Sequence, residues 1–312
     1  MRTAVPLTVL ATALACSLIS VPANARARVF VASYGNDANP CTFLSPCRNF
    51  QQAVNVVDPG GEVTAIDSAG FGPISISKSV TITSPDGVEA GIVPVSSGNA
   101  IAISAGSSDA VELHGLTVDG SGVGNNGIEF TSGASLTVVN CVVRNMTLDG
   151  IFLNATTTQT LAVSNSYFND NGNFGIFISS ASSGNITASI DRTAFFHNRI
   201  GLTVVSQSGA TGSPAVAVTD SIAANNFTTG FLVESVGGQV TNLSLTHSLT
   251  EGNGTGVEAS GTNATLWLAQ STVTGNVTAG FNNSGGVINT FQDNYFTANG
   301  PNTGSSTNVG KL

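Results

Sequence analysis

Short apolar strands recur through the second half of the chain, each launched by a glycine and separated from the next by polar turns. The glycines are Gly127, Gly150, Gly175, Gly201, Gly230, Gly256 and Gly280, spaced by 23, 25, 26, 29, 26 and 24 residues. Gly-Ile-Glu-Phe, Gly-Ile-Phe-Leu, Gly-Ile-Phe-Ile and Gly-Leu-Thr-Val open four of these units. Apolar residues alternate at a period of two, which puts Ile128 and Phe130, Ile151 and Leu153, and Ile176 and Ile178 on one inner face. The repeats carry no 3.6-residue spacing. A fixed period built from strands predicts a solenoid, in which each coil buries its apolar face only by stacking on its neighbours.

A second strand in each unit leads to a polar residue. Residues 136–139 lead to Asn140, 161–164 to Asn165, 216–219 to Asp220, 243–246 to His247 and 266–269 to Gln270. Asp191 takes this place in the remaining coil, but its alternation (Ile186, Ala188, Ile190) is out by one, which predicts a bulge. Stacked coils lie about 4.8 Å apart, so the polar column is expected to form a ladder in which amides bond from coil to coil.

Residues 28–60 have a different character. A strand at 28–32 is followed by a turn, the Cys41–Cys47 loop, and a stretch with Phe50, Ala53, Val54 and Val57 on one helical face. Asp58-Pro59-Gly60-Gly61 stops that helix. A solenoid needs its terminal coil covered, and we assign residues 26–60 this capping role. Strands and turns fill 61–300 as nine or ten coils, and the polar tail, 301–312, is expected to be loose.

The chain resembles the right-handed parallel β-helix, or pectin-lyase-like, superfamily, and within it the exported β-helix repeat proteins. The resemblance rests on the opening residues 29–37, the helix at 50–57, the strand entry at Glu62 and the repeated Val-x-Asn…Asn-x-x-Gly-Ile pattern. It implies an all-β solenoid. Its members include polysaccharide lyases, glycoside hydrolases, esterases and adhesins, so fold alone does not choose an activity. The lyase pattern Arg-x-Pro-x-x-Arg is missing. So are the Asn-Thr-Asp, Asp-Asp, Gly-His-Gly and Arg-Ile-Lys motifs of galacturonan hydrolases; His114-Gly115 and Thr219-Asp220 are fragments of them.

Residues 1–25 read as a signal peptide, with Arg2, an apolar stretch from Val5 to Val21 and an Ala23-Asn24-Ala25 cleavage site. Lipoprotein processing at Cys16 is the weaker alternative. Cleavage removes one arginine and no acid, taking the net charge from −9 to −10. Such acidity disfavours nucleic acid and anionic membranes as partners. No second apolar span follows, so a secreted or periplasmic protein is expected. There, Cys41 and Cys47 form a disulfide, while Cys141 is a buried thiol in an apolar strand.

Three constellations could carry chemistry. Asp191, Asp220 and His247 are successive members of the polar column and are weak catalytic candidates, with a structural ladder as the simpler reading. On the outer face after each glycine, Phe152 and Phe177 lie beside Asn154 and near Glu129, a composition suited to a sugar or a protein partner. His197, Arg192 and Arg199 make the one basic cluster of the repeats and read as a solvated turn. Several Asn-x-Ser/Thr sequons, such as Asn145-Met146-Thr147, read as structural turns. No metal-ligating cluster and no cofactor is expected. The leading expectation is a non-catalytic binding or surface protein for polysaccharide or a partner. Behind it stand a lyase or hydrolase with a non-standard site, and a structural envelope protein.

Overall fold

The computed structural model describes residues 26–310. The predicted signal segment and Cys16 lie outside them. The inner coils run through three strands, for example Ser135–Val139, Val142–Arg144 and Ile151–Ala155. Like strands of successive coils pair in parallel and build three sheets. Sheet I has 12 strands, from Arg28–Val31 to Thr307–Val309; sheet II has 10 short ones, from Ala69–Gly70 to Tyr295–Thr297; sheet III has 9, from Ile74–Ile76 to Ala279–Ser284. The result is a right-handed parallel β-helix of about nine turns.

In-register pairing turns the alternation of each strand into rows of the core. Leu136 pairs with Leu161, Val138 with Val163, Ile151 with Ile176 and Leu153 with Ile178. All are buried, and each contributes about 1.5–3 kcal/mol by leaving water. Phe168 stacks on Phe195 at 5.8 Å, and Phe195 meets Phe231 edge-on at 6.0 Å. The evenly spaced glycines stand in one column of close contact. A Cβ on Gly150 would lie 2.4 Å from the carbonyl oxygen of Gly175, and one on Gly175 2.5 Å from that of Gly201. No other residue fits that approach.

Two polar ladders close the turns. In the first, the Asn226 side-chain oxygen accepts from the backbone N–H of Asn198 (3.0 Å) and from its amide (3.1 Å). The Asn226 amide donates to Asn253 (2.9 Å) and to the Phe195 carbonyl (3.1 Å). The same pattern joins Asn171, Asn198, Asn253, Asn276 and Asn299. In the second, Ser221 Oγ accepts from Thr193 N and donates to Thr219 O, and Ser248 and Ser271 repeat this. Cys141 occupies the place of those serines, with its thiol directed at Val139 O. Burial, opposed by nearby backbone hydrogen bonds, pushes that thiol up to about 11.

These ladders correct the expected one. Asn140, Asn165, Asp220, His247 and Gln270 are aligned, but they share a left-handed backbone (φ 48–55°) at the turn out of sheet I and do not bond amide to amide. Asp191 is not among them. It pairs with Ser164 and Thr219 without a bulge, and Arg192 (φ 43°) holds the column position. The cause is a turn one residue shorter: two residues separate Asn198 from Gly201, whereas three separate Asn171 from Gly175. Counting back from the glycine therefore lands one residue early.

At the N-terminal end, helix α1 (Phe50–Val56) buries Phe50, Ala53 and Val54, and Phe50 meets Phe71 at 4.9 Å. The Cys41–Cys47 disulfide is formed. Asp37 ties this cap together. Burial would raise its carboxyl, but hydrogen bonds from Asn49 and Arg48 outweigh that and hold it below the usual 3.8. The other end departs from expectation. The tail supplies a strand, Thr307–Val309, that pairs with Val287–Phe291, and Thr303 N donates to Phe281 O. Apolar and backbone groups of the last coil need this partner.

Two buried groups test these energetics. Gln159 is 1 % exposed, faces the core in the row of Ile186, and has no partner for either amide atom. Gln159→Leu is expected to stabilise the fold by about 1–2 kcal/mol in urea denaturation, since it removes an unpaired buried amide; destabilisation would refute the reading. Asp149 is 4 % exposed, and burial pushes it up to about 6 although it accepts from Phe174 N at 3.1 Å and from the side chain of Asn173. Because the folded value exceeds the ordinary 3.8, stability is fully present below that value and declines as pH rises through about 6. Relative to Asp149→Asn, the native chain should lose about 2 kcal/mol between about pH 4 and 7.5. Parallel pH profiles of the two proteins would contradict this.

Candidate functional site

Outward positions carry whatever differs between coils. The predicted face lies on sheet III. Phe152 and Phe177 are adjacent, with ring centroids 5.5 Å apart and planes 6° from parallel; Phe174 extends the stack at 5.0 Å. All three are half-buried. Stacking along the helix axis turns the ring faces toward one another and leaves edges outward. Glu129 accepts from the Asn99 amide at 2.7 Å, and Asn154 Oδ1 is buried without a partner. Farther along, Ser179 and Thr203 point away from the core yet are covered, Ser179 bonded by the Gln207 amide. Glu234 is raised by burial and by the charge of Glu258.

The catalytic candidates do not converge. Asp191 lies against Arg192 at 2.7 Å and accepts from the Thr219 hydroxyl at 2.8 Å, while Asp220 and His247 are exposed at their turn. The basic cluster is divided: Arg192 donates to Asn165 at 2.8 Å on one turn, and His197 and Arg199 lie at another. Among the described residues, no three His, Cys, Asp or Glu side chains gather where a metal ion could be held.

A hollow of about 780 Å³ follows the turn that leads out of sheet II. A second left-handed column runs through Asn145, Asp170, His197 and Asn225, with φ 53–57°, and its first three members line the hollow. That conformation turns the side chains outward, and the asparagine ladder immediately behind fixes the backbone. His197 Nδ1 stands 3.6 Å from Asp170 Oδ1, and both side chains are about half exposed. Arg199 donates to Asn173 Oδ1 at 3.2 Å. Phe227, 84 % exposed, stands one coil beyond Arg199 at the same turn position.

His197 also borders a second hollow of about 510 Å³ over sheet II, lined by Tyr167 and Phe196. Tyr167 is 53 % exposed. A third hollow of about 390 Å³ lies toward the N-terminal end at Asp119 and Arg144. There Arg144 donates to Asp119 at 2.9 Å and Asn145 does so at 3.1 Å, linking this hollow to the first. Burial opposes ionisation of Asp119, but bonds from Ser121, Asn145 and Arg144 prevail and lower it. The first two hollows share His197, and the bonds to Asp119 place the third beside the first, so rings, amides, carboxylates, an imidazole and guanidiniums follow one another on this side of the helix.

The sequence pattern singled out His197 and Arg199 only as part of a solvated basic turn, and it did not single out Tyr167, Phe196 or Phe227. Aligning the coils on Asn171, Asn198 and Asn226 rather than on the glycines would have put Gly172, Arg199 and Phe227 in one row.

Residues 99–277 match the family described as the right handed beta helix region. No curated protein matches the sequence. Among solved structures, pectate lyase Pel9A is similar over 89 % of this chain and 78 % of its own, at 16 % identity and a TM-score of 0.62. XylC in complex with xylose is similar over 86 % and 69 %, at 8 % identity and 0.58. ORF18 of Geobacillus virus E2 is similar over 84 % and 57 %, at 12 % identity and 0.52. At these identities the likenesses establish the fold alone. With the family match spanning more than half of its length, the chain belongs to the right-handed β-helix family.

Proposed function

We propose that the protein is an exported β-helix that binds an extended glycan in the axial groove beside sheet II. The observation that carries this reading is a set of three rings, Tyr167 and Phe227 exposed and Phe196 half-buried, beside the hydrogen-bonding groups of Asp170, His197 and Arg199. Aromatic faces take the C–H faces of sugars, and neighbouring polar groups take the hydroxyls. The groove is open and shallow, which suits a polymer that enters from the side. Sheet III offers less, because its phenylalanines stack on one another.

The disulfide fits an oxidising compartment outside the cytoplasm. The names of similar structures, a pectate lyase and a xylose complex, give carbohydrate chemistry a precedent on this scaffold. One observation favours a second reading, turnover of the glycan: Asp170 stands where it could orient His197 as a general base. A purely structural envelope role draws no support from the groove.

A glycan array run beside a polysaccharide degradation assay decides among them. Phe227→Ala and Tyr167→Ala should each weaken binding about tenfold, equal to about 1.4 kcal/mol, without changing the melting temperature. Unchanged affinity in both variants would refute the groove. Release of soluble products that is lost in His197→Ala would replace binding by catalysis.

A further inference from the structure

The three outer faces differ in charge. Sheet III presents Glu129, Glu234 and Glu258, sheet II presents Asp119, Arg144 and Glu251, and the first strands of sheet I carry Arg28, Glu62 and Glu112. On sheet I, the strands from Ser135–Val139 to Ala264–Ala269 present one charged side chain, Asp191, which Arg192 neutralises. The rest of that face is small and uncharged. Its middle row reads Thr137, Ala162, Ser189, Ala217, Ser244 and Trp267, coil by coil in strict register. Ser189, Ala217 and their neighbours Thr187 and Ala215 are exposed.

We propose that two copies of the chain associate through this face of sheet I. Copies carrying a net charge of −9 repel one another, and most strongly across sheet III. The stretch of sheet I from Ser135–Val139 onward is where they can meet with its one carboxylate, Asp191, already paired to Arg192, since Glu62 and Glu112 lie on earlier strands. Small side chains repeating at the strand spacing let two sheets approach and interdigitate, as in dry stacked-sheet interfaces. Bulk is confined to one end, where Trp267, 36 % exposed, stacks on Phe291 at 6.4 Å. An antiparallel two-fold places each ring pair over the small end, Thr137 and Ala162, of the other copy. From Ser135–Val139 to Val287–Phe291 the face measures about 30 by 16 Å, or about 1,000 Å² over both copies, the lower bound for a specific interface. The dimer is therefore weak and concentration-dependent. It leaves the groove by sheet II open and does not depend on the glycan reading.

Trp267 is the single tryptophan of the chain and reports directly. Sedimentation equilibrium of the full chain should give a monomer–dimer equilibrium. Over the same concentrations, the tryptophan emission should shift to the blue and iodide quenching should fall. Ala217→Arg, at an exposed strand position near the centre, should abolish dimer and shift together, whereas Ala217→Thr should keep both. A chain that is monomeric throughout overturns the proposal. So does a dimer that survives Ala217→Arg, or a monomer whose Trp267 is protected only when microcrystalline cellulose is added.

Discussion

Everything in this molecule depends on each coil satisfying the polar groups of the one before it. A turn in a stacked solenoid buries backbone N–H groups on its inner side, and leaving one unpaired costs about 1–3 kcal/mol. The ladder from Asn171 to Asn299 solves this with a single residue per coil. Its side-chain oxygen takes two N–H groups from one neighbour, and its amide donates to the next coil and back to a carbonyl of the preceding one. The serine column does the same at the other turn. Such a solution works only if every coil has the same height and register. The glycine column follows from it, since the carbonyl of one glycine lies where the Cβ of the preceding one would be.

That regularity constrains where function can reside. Inner rows are fixed by packing, and the ladder residues by hydrogen bonding. The left-handed turn positions are freer, because their side chains point to solvent and only their backbone is specified. Along one such column the chain uses Asn145, Asp170, His197 and Asn225, then changes to Gly252 and Gly275. The first three of these side chains line the large hollow, and the glycines lie beyond it. A scaffold held by its ladders can thus vary one column of outward groups without touching the core.

The fold was legible because its two strongest signals are direct. Alternation states which side chains face the core, and the period states that coils stack. Both appear in Leu136, Val138, Leu161 and Val163. The placement of polar residues was less legible, since it depends on turn length. One residue fewer between Asn198 and Gly201 was enough to exchange Asp191 for Arg192 in the column. The amide ladder was hidden for a related reason. Asn165 and the true rung Asn171 are the same residue type six residues apart, and only the backbone separates a left-handed solvent position from a buried one.

Exposure was the least legible property. Alternation assigns Thr203 and Ser179 to the outside, where they are, but neighbouring side chains and loops still cover them. Phe227 received no assignment, since an aromatic residue following an asparagine in a turn has no periodic partner in its own coil. Its meaning arises from Arg199 and Val277, which hold the same place in other coils. Function in a solenoid is therefore read across coils rather than along the chain. The coordinate to read it by is the ladder, because hydrogen bonds, and not sequence spacing, decide which residues share a row.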